Sequence, residues 1–161
     1  MSFRYERVIR FHETDAAGVV YFANVLTLCH EAYEAALEAA GFDVGLFFSK
    51  DGDVAVPIIH AESDFHQPLR CGDGIAITLT PAQITEHSFE ISYQVYYCLG
   101  NYRLEKGDVS NESDTVKNHK AAAIALTRHL CIDPQTRRRQ PLAPELTNWI
   151  TSLAEPAVPN G

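Results

Sequence analysis

The run from Ala23 to Ala40 most restricts what this chain can become. Leu26, Cys29, Tyr33, Ala36, Leu37 and Ala40 recur at spacings of three and four, so a helix gathers them on one stripe. His30, Glu31, Glu34 and Glu38 fall largely on the opposite side. Gly41 follows the last alanine, where a left-handed residue commonly ends a helix. A helix of about 18 residues is about 27 Å long at 1.5 Å per residue. It needs one apolar surface of matching length, and its alanines let that surface approach closely. With 161 residues the chain supports one such core and not two comfortable ones.

The surface comes from segments of β character. Phe3 to Phe11 alternates apolar and charged residues, with an irregularity near Arg7. Val54 to Phe65 reads as a strand in which Pro57 requires an edge or a bulge. Gln67 to Gly74 reads as a turn. Gly74 to Thr85 alternates through Ile75, Ile77 and Leu79, and Ser88 to Tyr97 through Phe89, Ile91, Tyr93, Val95 and Tyr97. His119 to Ile132 is a fifth strand, its alternation outweighing an alanine-rich start. Glu105 to Asn118 is a polar, exposed hairpin loop. Pro144 to Ala154 is a short amphipathic helix docking Leu146, Trp149, Ile150 and Leu153, and the tail after it frays. Strands clustered after one long helix imply an α+β domain, with helices on one face of an antiparallel sheet.

Hydrophobic residues at 46% and charged residues at 21% place the chain among ordinary globular proteins. A formal net charge of -8 argues against nucleic acid as a partner. The apolar runs are too short for membrane insertion, and the first residues lack the apolar stretch of a secretory signal, so a cytoplasmic protein is expected. Cys29, Cys71, Cys98 and Cys131 form no paired motif and read as free thiols. No spacing of His, Cys, Asp or Glu suggests a metal site.

One carboxylate stands out. Asp15 lies in FHETDAAGVVYFANV, Phe11 to Val25, between the first strand and the start of the long helix. An Asp in a loop can cap backbone N–H groups with its own side chain. Here Gly18 permits positive φ or a close approach, and the apolar Val19 to Phe22 abuts a helix N-terminus, with its unpaired N–H donors and partial positive charge. An acid facing such donors across an apolar slot has the parts to attack a carbonyl, or direct water at it, while the donors hold the developing oxyanion.

The string Asp15, Gly18, Val19, Val20, Tyr21 and Asn24 resembles the active-site signature of hotdog-fold acyl-CoA thioesterases of the 4-hydroxybenzoyl-CoA thioesterase type. DFHQPLRCGD, Asp64 to Asp73, is similar to that family's strand–turn–strand segment. The likeness covers roughly residues 3 to 132. It implies a hotdog fold, a curved antiparallel sheet of about five strands wrapped around one long central helix, here followed by a short C-terminal helix. Residues 1–133 are then the hotdog domain, and 134–161 an extension with that helix and a frayed tail.

The resemblance also implies an acyl-CoA thioesterase in which Asp15 is nucleophile or general base and the backbone N–H of Phe22 polarises the thioester carbonyl. The expected assembly is a homodimer, paired into a dimer of dimers, with the site at the dimer seam. CoA is part of the substrate and no separate cofactor is expected. The Tol-Pal-associated branch of such enzymes tends to carry a Tyr four residues before the Asp and a His seven after it. This chain has Phe11 and Phe22 there. That exchange suits a flat aromatic acyl-CoA held among Phe11, Gly18, Val19, Tyr21 and Phe22, because ring stacking adds to burial. Alternatives are a 4-hydroxybenzoyl-CoA or short-chain acyl-CoA thioesterase, a hotdog dehydratase with a His-centred site, and a non-catalytic acyl-CoA-binding module. Glu31 and Glu34 are runner-up carboxylates, since a separate hotdog lineage uses a helical Glu. Arg70, which lies within the second matching stretch, Lys117, His119, Lys120, Arg128 and Arg137 to Arg139 are candidate cations for the CoA phosphates. His12 reads as a structural or solvent-facing residue.

Overall fold

A computed structural model describes residues 2–98 and 120–154. The expected loop 105–118, which contains Lys117, lies outside the described residues, as do the adjoining His119 and the tail from residue 155. The elements are β1 (Phe3–Val8), a 3-10 turn (Phe11–Glu13), α1 (Phe22–Ala39), α2 (Val44–Phe47), β2 (Ile58–Phe65), β3 (Gly74–Thr85), β4 (Ser88–Tyr97), β5 (Ala123–Leu130) and α3 (Pro144–Leu153).

The five strands form one antiparallel sheet in the order β1-β3-β4-β5-β2, and α1 packs against β1, β2, β3 and β5. This is the hotdog arrangement that the sequence resemblance implies. Ile75, Ile77, Leu79, Phe89, Ile91 and Val95 from β3 and β4 are fully buried against Leu28, Cys29, Ala32, Tyr33 and Leu37 of α1. The buried stripe is centred one step away from the expected one: Val25, Leu28 and Ala32 fill it, while Leu26 is half-buried and Ala40 caps the helix in solvent. Gly41, at φ +89, ends α1 in the expected way. The Phe42 N–H reaches back to the Leu37 carbonyl at 3.1 Å and the Gly41 N–H to Glu38 at 2.9 Å, a Schellman closure. All four cysteines are free.

The structure revises several expected boundaries. The first strand stops at Val8, because residues 11–13 wind into the 3-10 turn instead of extending the sheet. The second begins at Ile58. Pro57 has no N–H to donate, yet its carbonyl still accepts the Leu130 N–H at 3.1 Å, which places it at the sheet edge as its chemistry requires. β5 is shorter than expected, with Ile132 making only isolated bridges to Ala55 and Arg139. α2 was not anticipated. It is a single turn capped by the Asp43 side chain, which accepts the Leu46 N–H at 3.0 Å, and four residues are too few to show a helical period. α3 packs on β3 and sends Leu146, Trp149 and Ile150 into the same core as α1.

β2 differs from the other strands. It lies at an edge of the sheet, seven of its eight residues are exposed, and Ile58, Ile59 and Phe65 are among them.

Candidate active site

The site grows out of the connection from β1 to α1. After β1, Ile9 is buried and exchanges backbone hydrogen bonds of 2.9 Å with Gly72 and Asp73, fixing this end of the strand on the β2–β3 turn. The 3-10 turn then delivers Glu13. Its backbone carbonyl accepts the Tyr21 N–H and the Asn24 side-chain amide, each at 2.9 Å. Thr14 pairs with Val20, and the Asp15 N–H reaches the Val19 carbonyl at 2.8 Å. The loop is thus a miniature hairpin with Asp15 to Gly18 at its tip. Gly18 sits at φ +77, a conformation costly for any residue with a Cβ, and its N–H closes the turn onto the Asp15 carbonyl at 3.0 Å. The hairpin is tied to the β2–β3 connection by Val20 N–H donating to the Leu69 carbonyl at 2.7 Å.

Asp15 is exposed in the single chain. Its Oδ1 accepts the Ala17 N–H at 2.8 Å, so the capping role that any loop Asp can play is realised. Its Oδ2 has no hydrogen-bond partner among the described residues. The turn therefore orients the carboxylate through one oxygen and leaves the other available, and the capping and chemical roles coexist.

Both Asp15 and the start of α1 line one cavity of about 420 Å³. Val19, Val20, Tyr21 and Phe22 contribute from the hairpin, Val25 from α1, Phe65 to Leu69 from the end of β2, and Ala123 from β5. Tyr21 is the N-cap of α1 and its side chain makes no capping bond. The first N–H groups of a helix have no partner inside it, so the Phe22 end presents uncapped donors and the positive end of the dipole beside an acid. The Tyr21 and Phe22 rings lie 4.7 Å apart at 58° and are 46% and 62% exposed, forming an open aromatic wall.

Of the expected residues, Asp15, Val19, Tyr21 and Phe22 come together in this cavity, and Gly18 shapes the turn behind them. Phe11 and Arg70 are not in its lining. The 3-10 turn leaves the Phe11 ring 81% exposed, and Phe65 supplies the further aromatic face instead. Arg70 has an exposed side chain and serves the β2–β3 turn through its N–H, which donates to Asp73 Oδ2 at 2.6 Å. His66 and Gln67 also line the cavity, with backbone N–H groups held on the Ala122 carbonyl at 2.8 and 3.0 Å. Sequence reasoning marked their stretch and gave them no role. The pairing of β2 with β5 and the Val20–Leu69 hydrogen bond bring them into the cavity that Asp15 lines.

The runner-up carboxylates are engaged elsewhere. Glu31 is bound to the Arg7 guanidinium, and Glu34 to His30 one helical turn back at 2.9 Å. Among the candidate cations, Arg128 is paired with Glu90, its Nε donating at 2.6 Å. Among the described residues no three His, Cys, Asp or Glu side chains converge as a metal site.

Residues 9–150 match the family described as the Thioesterase-like superfamily. The chain belongs to this superfamily. The family match runs into α3, which the sequence resemblance had left outside. The chain is 49% identical over 148 residues, 92% of this chain and 94% of the relative, to a 1,4-dihydroxy-2-naphthoyl-CoA hydrolase of Rippkaea orientalis. It is 47% identical, over 92% of this chain and 95% of the relative, to the protein of that name in Crocosphaera subtropica. Among solved structures it superposes on a 1,4-dihydroxy-2-naphthoyl-CoA thioesterase from Synechocystis with a TM-score of 0.76 and 32% identity, covering 97% of this chain and 100% of that one. Superfamily membership and this fold are what the hairpin, the uncapped helix and the apolar cavity lead one to expect of a thioesterase.

Proposed function

We propose that this chain hydrolyses an aromatic acyl-CoA thioester, 1,4-dihydroxy-2-naphthoyl-CoA being the substrate to which its relatives point, in a step of phylloquinone or menaquinone synthesis. The motif string from His12 to Asn24 itself resembles those hydrolases. The observation that carries the reading is the juxtaposition of Asp15 with the uncapped start of α1 in one apolar, aromatic-walled cavity. The Phe22 N–H polarises the thioester carbonyl and holds the oxyanion as it forms. Asp15 then acts through its free oxygen. Either it attacks the acyl carbon, giving an anhydride that water opens, or it takes a proton from a water that attacks directly. In both routes the C–S bond breaks and the CoA thiolate is protonated. In direct attack water supplies the new carboxylate oxygen of the product, whereas an anhydride opened at the Asp15 carbonyl gives the product an Asp15 oxygen and returns the water oxygen to Asp15. The chain's own groups and water suffice, so no separate cofactor enters the reading.

The same reading makes the working unit a homodimer, paired into a dimer of dimers, in the cytoplasm. A long edge strand with exposed apolar side chains is a template for pairing with another chain. β2 is such an edge, and Phe65 at its end also lines the cavity, so a second copy laid along β2 would cover the wall that the single chain leaves open. No helix among the described residues is long and apolar enough to cross a membrane.

Free-thiol release from a panel of acyl-CoA thioesters, aryl and graded aliphatic, tests the function. Faster turnover of the aryl members is expected. Equal rates on both kinds would defeat the aromatic preference, and binding without thiol release would make the chain an acyl-CoA-binding module. Single-turnover hydrolysis in heavy-oxygen water tests the two routes: label in Asp15 supports the anhydride, and label only in the product acid opposes it.

A further inference from the structure

The β1–α1 connection contains a buried ion pair that the chemistry above does not use. Glu13 is 6% exposed. One carboxylate oxygen accepts from Arg7 Nη2 at 2.6 Å and the other accepts the Arg10 N–H at 2.6 Å. Arg7, itself half-buried on β1, extends its other terminal nitrogen to Glu31 on α1. The Glu13 carbonyl meanwhile carries the Tyr21 N–H and the Asn24 amide.

Both oxygens of Glu13 are engaged, its side chain is buried, and it does not line the cavity, so it is not placed to touch a substrate. A buried ion pair is also a poor stabiliser. Well-packed apolar residues in its place are commonly as stable or more so. What the pair does supply is a fixed geometry. Asp15 lies two residues after Glu13, and Phe22 directly follows the Tyr21 whose N–H is seated on the Glu13 carbonyl. One residue therefore references both the carboxylate and the oxyanion donor, and Arg7 locks that residue to β1 and, through Glu31, to α1.

Resting on the thioesterase reading, we propose that Glu13 is a positioning residue for Asp15, acting through its ion pair with Arg7. Side chains held within tenths of an ångström of productive geometry are what makes such an acid effective, and a displacement of about 1 Å costs about 100-fold in rate.

The test uses the full chain and an aryl-CoA substrate that the wild-type protein turns over. Glu13→Gln keeps an acceptor for the Arg10 N–H and removes the charge. It should lower kcat about 10- to 100-fold with KM within about threefold of wild type. Arg7→Met should do the same, and the double variant should fall no further than the worse single one, as coupled residues do. Arg7→Lys keeps a cation beside Glu13 without spanning to Glu31 and should recover part of the lost kcat. If Glu13→Gln does not fold, Arg7→Lys and Asn24→Ala, which removes one donor from the Glu13 carbonyl, carry the test with severalfold losses in kcat. In an Asp15→Asn background Glu13→Gln should cost much less than it does beside an intact Asp15, whereas a general loss of structure would cost the same in both.

A folded Glu13→Gln protein with wild-type kcat would overturn the proposal, and so would a loss in the Asp15→Asn background as large as that in the wild-type background. Wild-type protein inert on every thioester would instead overturn the functional reading itself.

Discussion

At its first turn α1 meets open cavity. Tyr21 and Phe22 remain exposed, and no side chain caps the helix. Three turns further along, the same helix is sealed. Tyr33 is fully buried, with ring contacts to His129 at 5.1 Å, Phe48 at 5.8 Å and Trp149 at 5.8 Å, while Phe89 stacks on His129 at 4.6 Å and 5°. A buried polar chain runs beneath, from the Tyr93 hydroxyl to Thr127 at 3.2 Å and from Thr127 to His129 Nε2 at 2.9 Å. The contrast teaches a division of labour. Packing at the far end holds the helix in place, and that allows its near end to leave donors and apolar rings uncovered, where the proposed substrate would sit. On this reading, uncovered groups there should contribute little to stability, and sealed ones at the far end little to chemistry.

The sharpest way to break this contrast is Asp15→Asn. Turnover should fall about 10²- to 10⁴-fold in steady-state assays, with the thermal midpoint nearly unmoved, because Asn retains an oxygen for the Ala17 N–H. A large loss of stability with turnover intact would reverse the assignment of the two ends. Trp149→Ala attacks the sealed end. It should cost about 3–5 kcal/mol in denaturant unfolding, with kcat close to wild type in protein still folded at the assay temperature.

Acid probes the same end more gently. Burial, with His30 acting in the same direction, pulls the His129 imidazole down to about 4 from an ordinary 6.5. The folded protein keeps this ring neutral, while the unfolded chain takes up a proton below about pH 6.5. Stability is therefore unaffected by this group above that pH. It declines as pH falls from 6.5 to 4, by about 3 kcal/mol in all. His129→Gln, which still offers Thr127 a hydrogen bond but does not titrate, should flatten that part of the acid-unfolding curve. The mildest change is Phe22→Ala. Removing a largely exposed ring should alter stability by less than about 0.5 kcal/mol, while raising KM for aryl thioesters about tenfold if the ring loses about 1.4 kcal/mol of contact with the acyl group. An equal rise for aliphatic thioesters would mean that the wall selects by bulk rather than by stacking.

The parts of the molecule legible in advance share a cause. β3 and β4 begin and end where their alternation does, and α1 stops at Gly41, because period and punctuation are local properties of the chain. Asp15 was legible because a tight turn, a positive-φ glycine and a helix start stand within eight residues of one another. The remainder depended on residues distant in the chain. Phe11 belonged to an alternating segment, yet the Glu13 interactions wind that segment into a 3-10 turn and leave the ring in solvent. Glu31 looked like a free helical acid until Arg7, 24 residues earlier, was found on it. His66 and Gln67 had no signal of their own, since nothing local says that the β2–β3 connection will pair with Val20 through Leu69.

By itself, then, the order of residues determined one long helix, a set of strands able to cover it, and an acid placed at the helix's positive end, because each follows from short-range periodicity and steric rules. Which side chains share the cavity with that acid, and which charges are spent in bracing it, were decided only when the sheet closed around the helix. Those neighbours are chosen by strand register and packing, and both are properties of the whole chain.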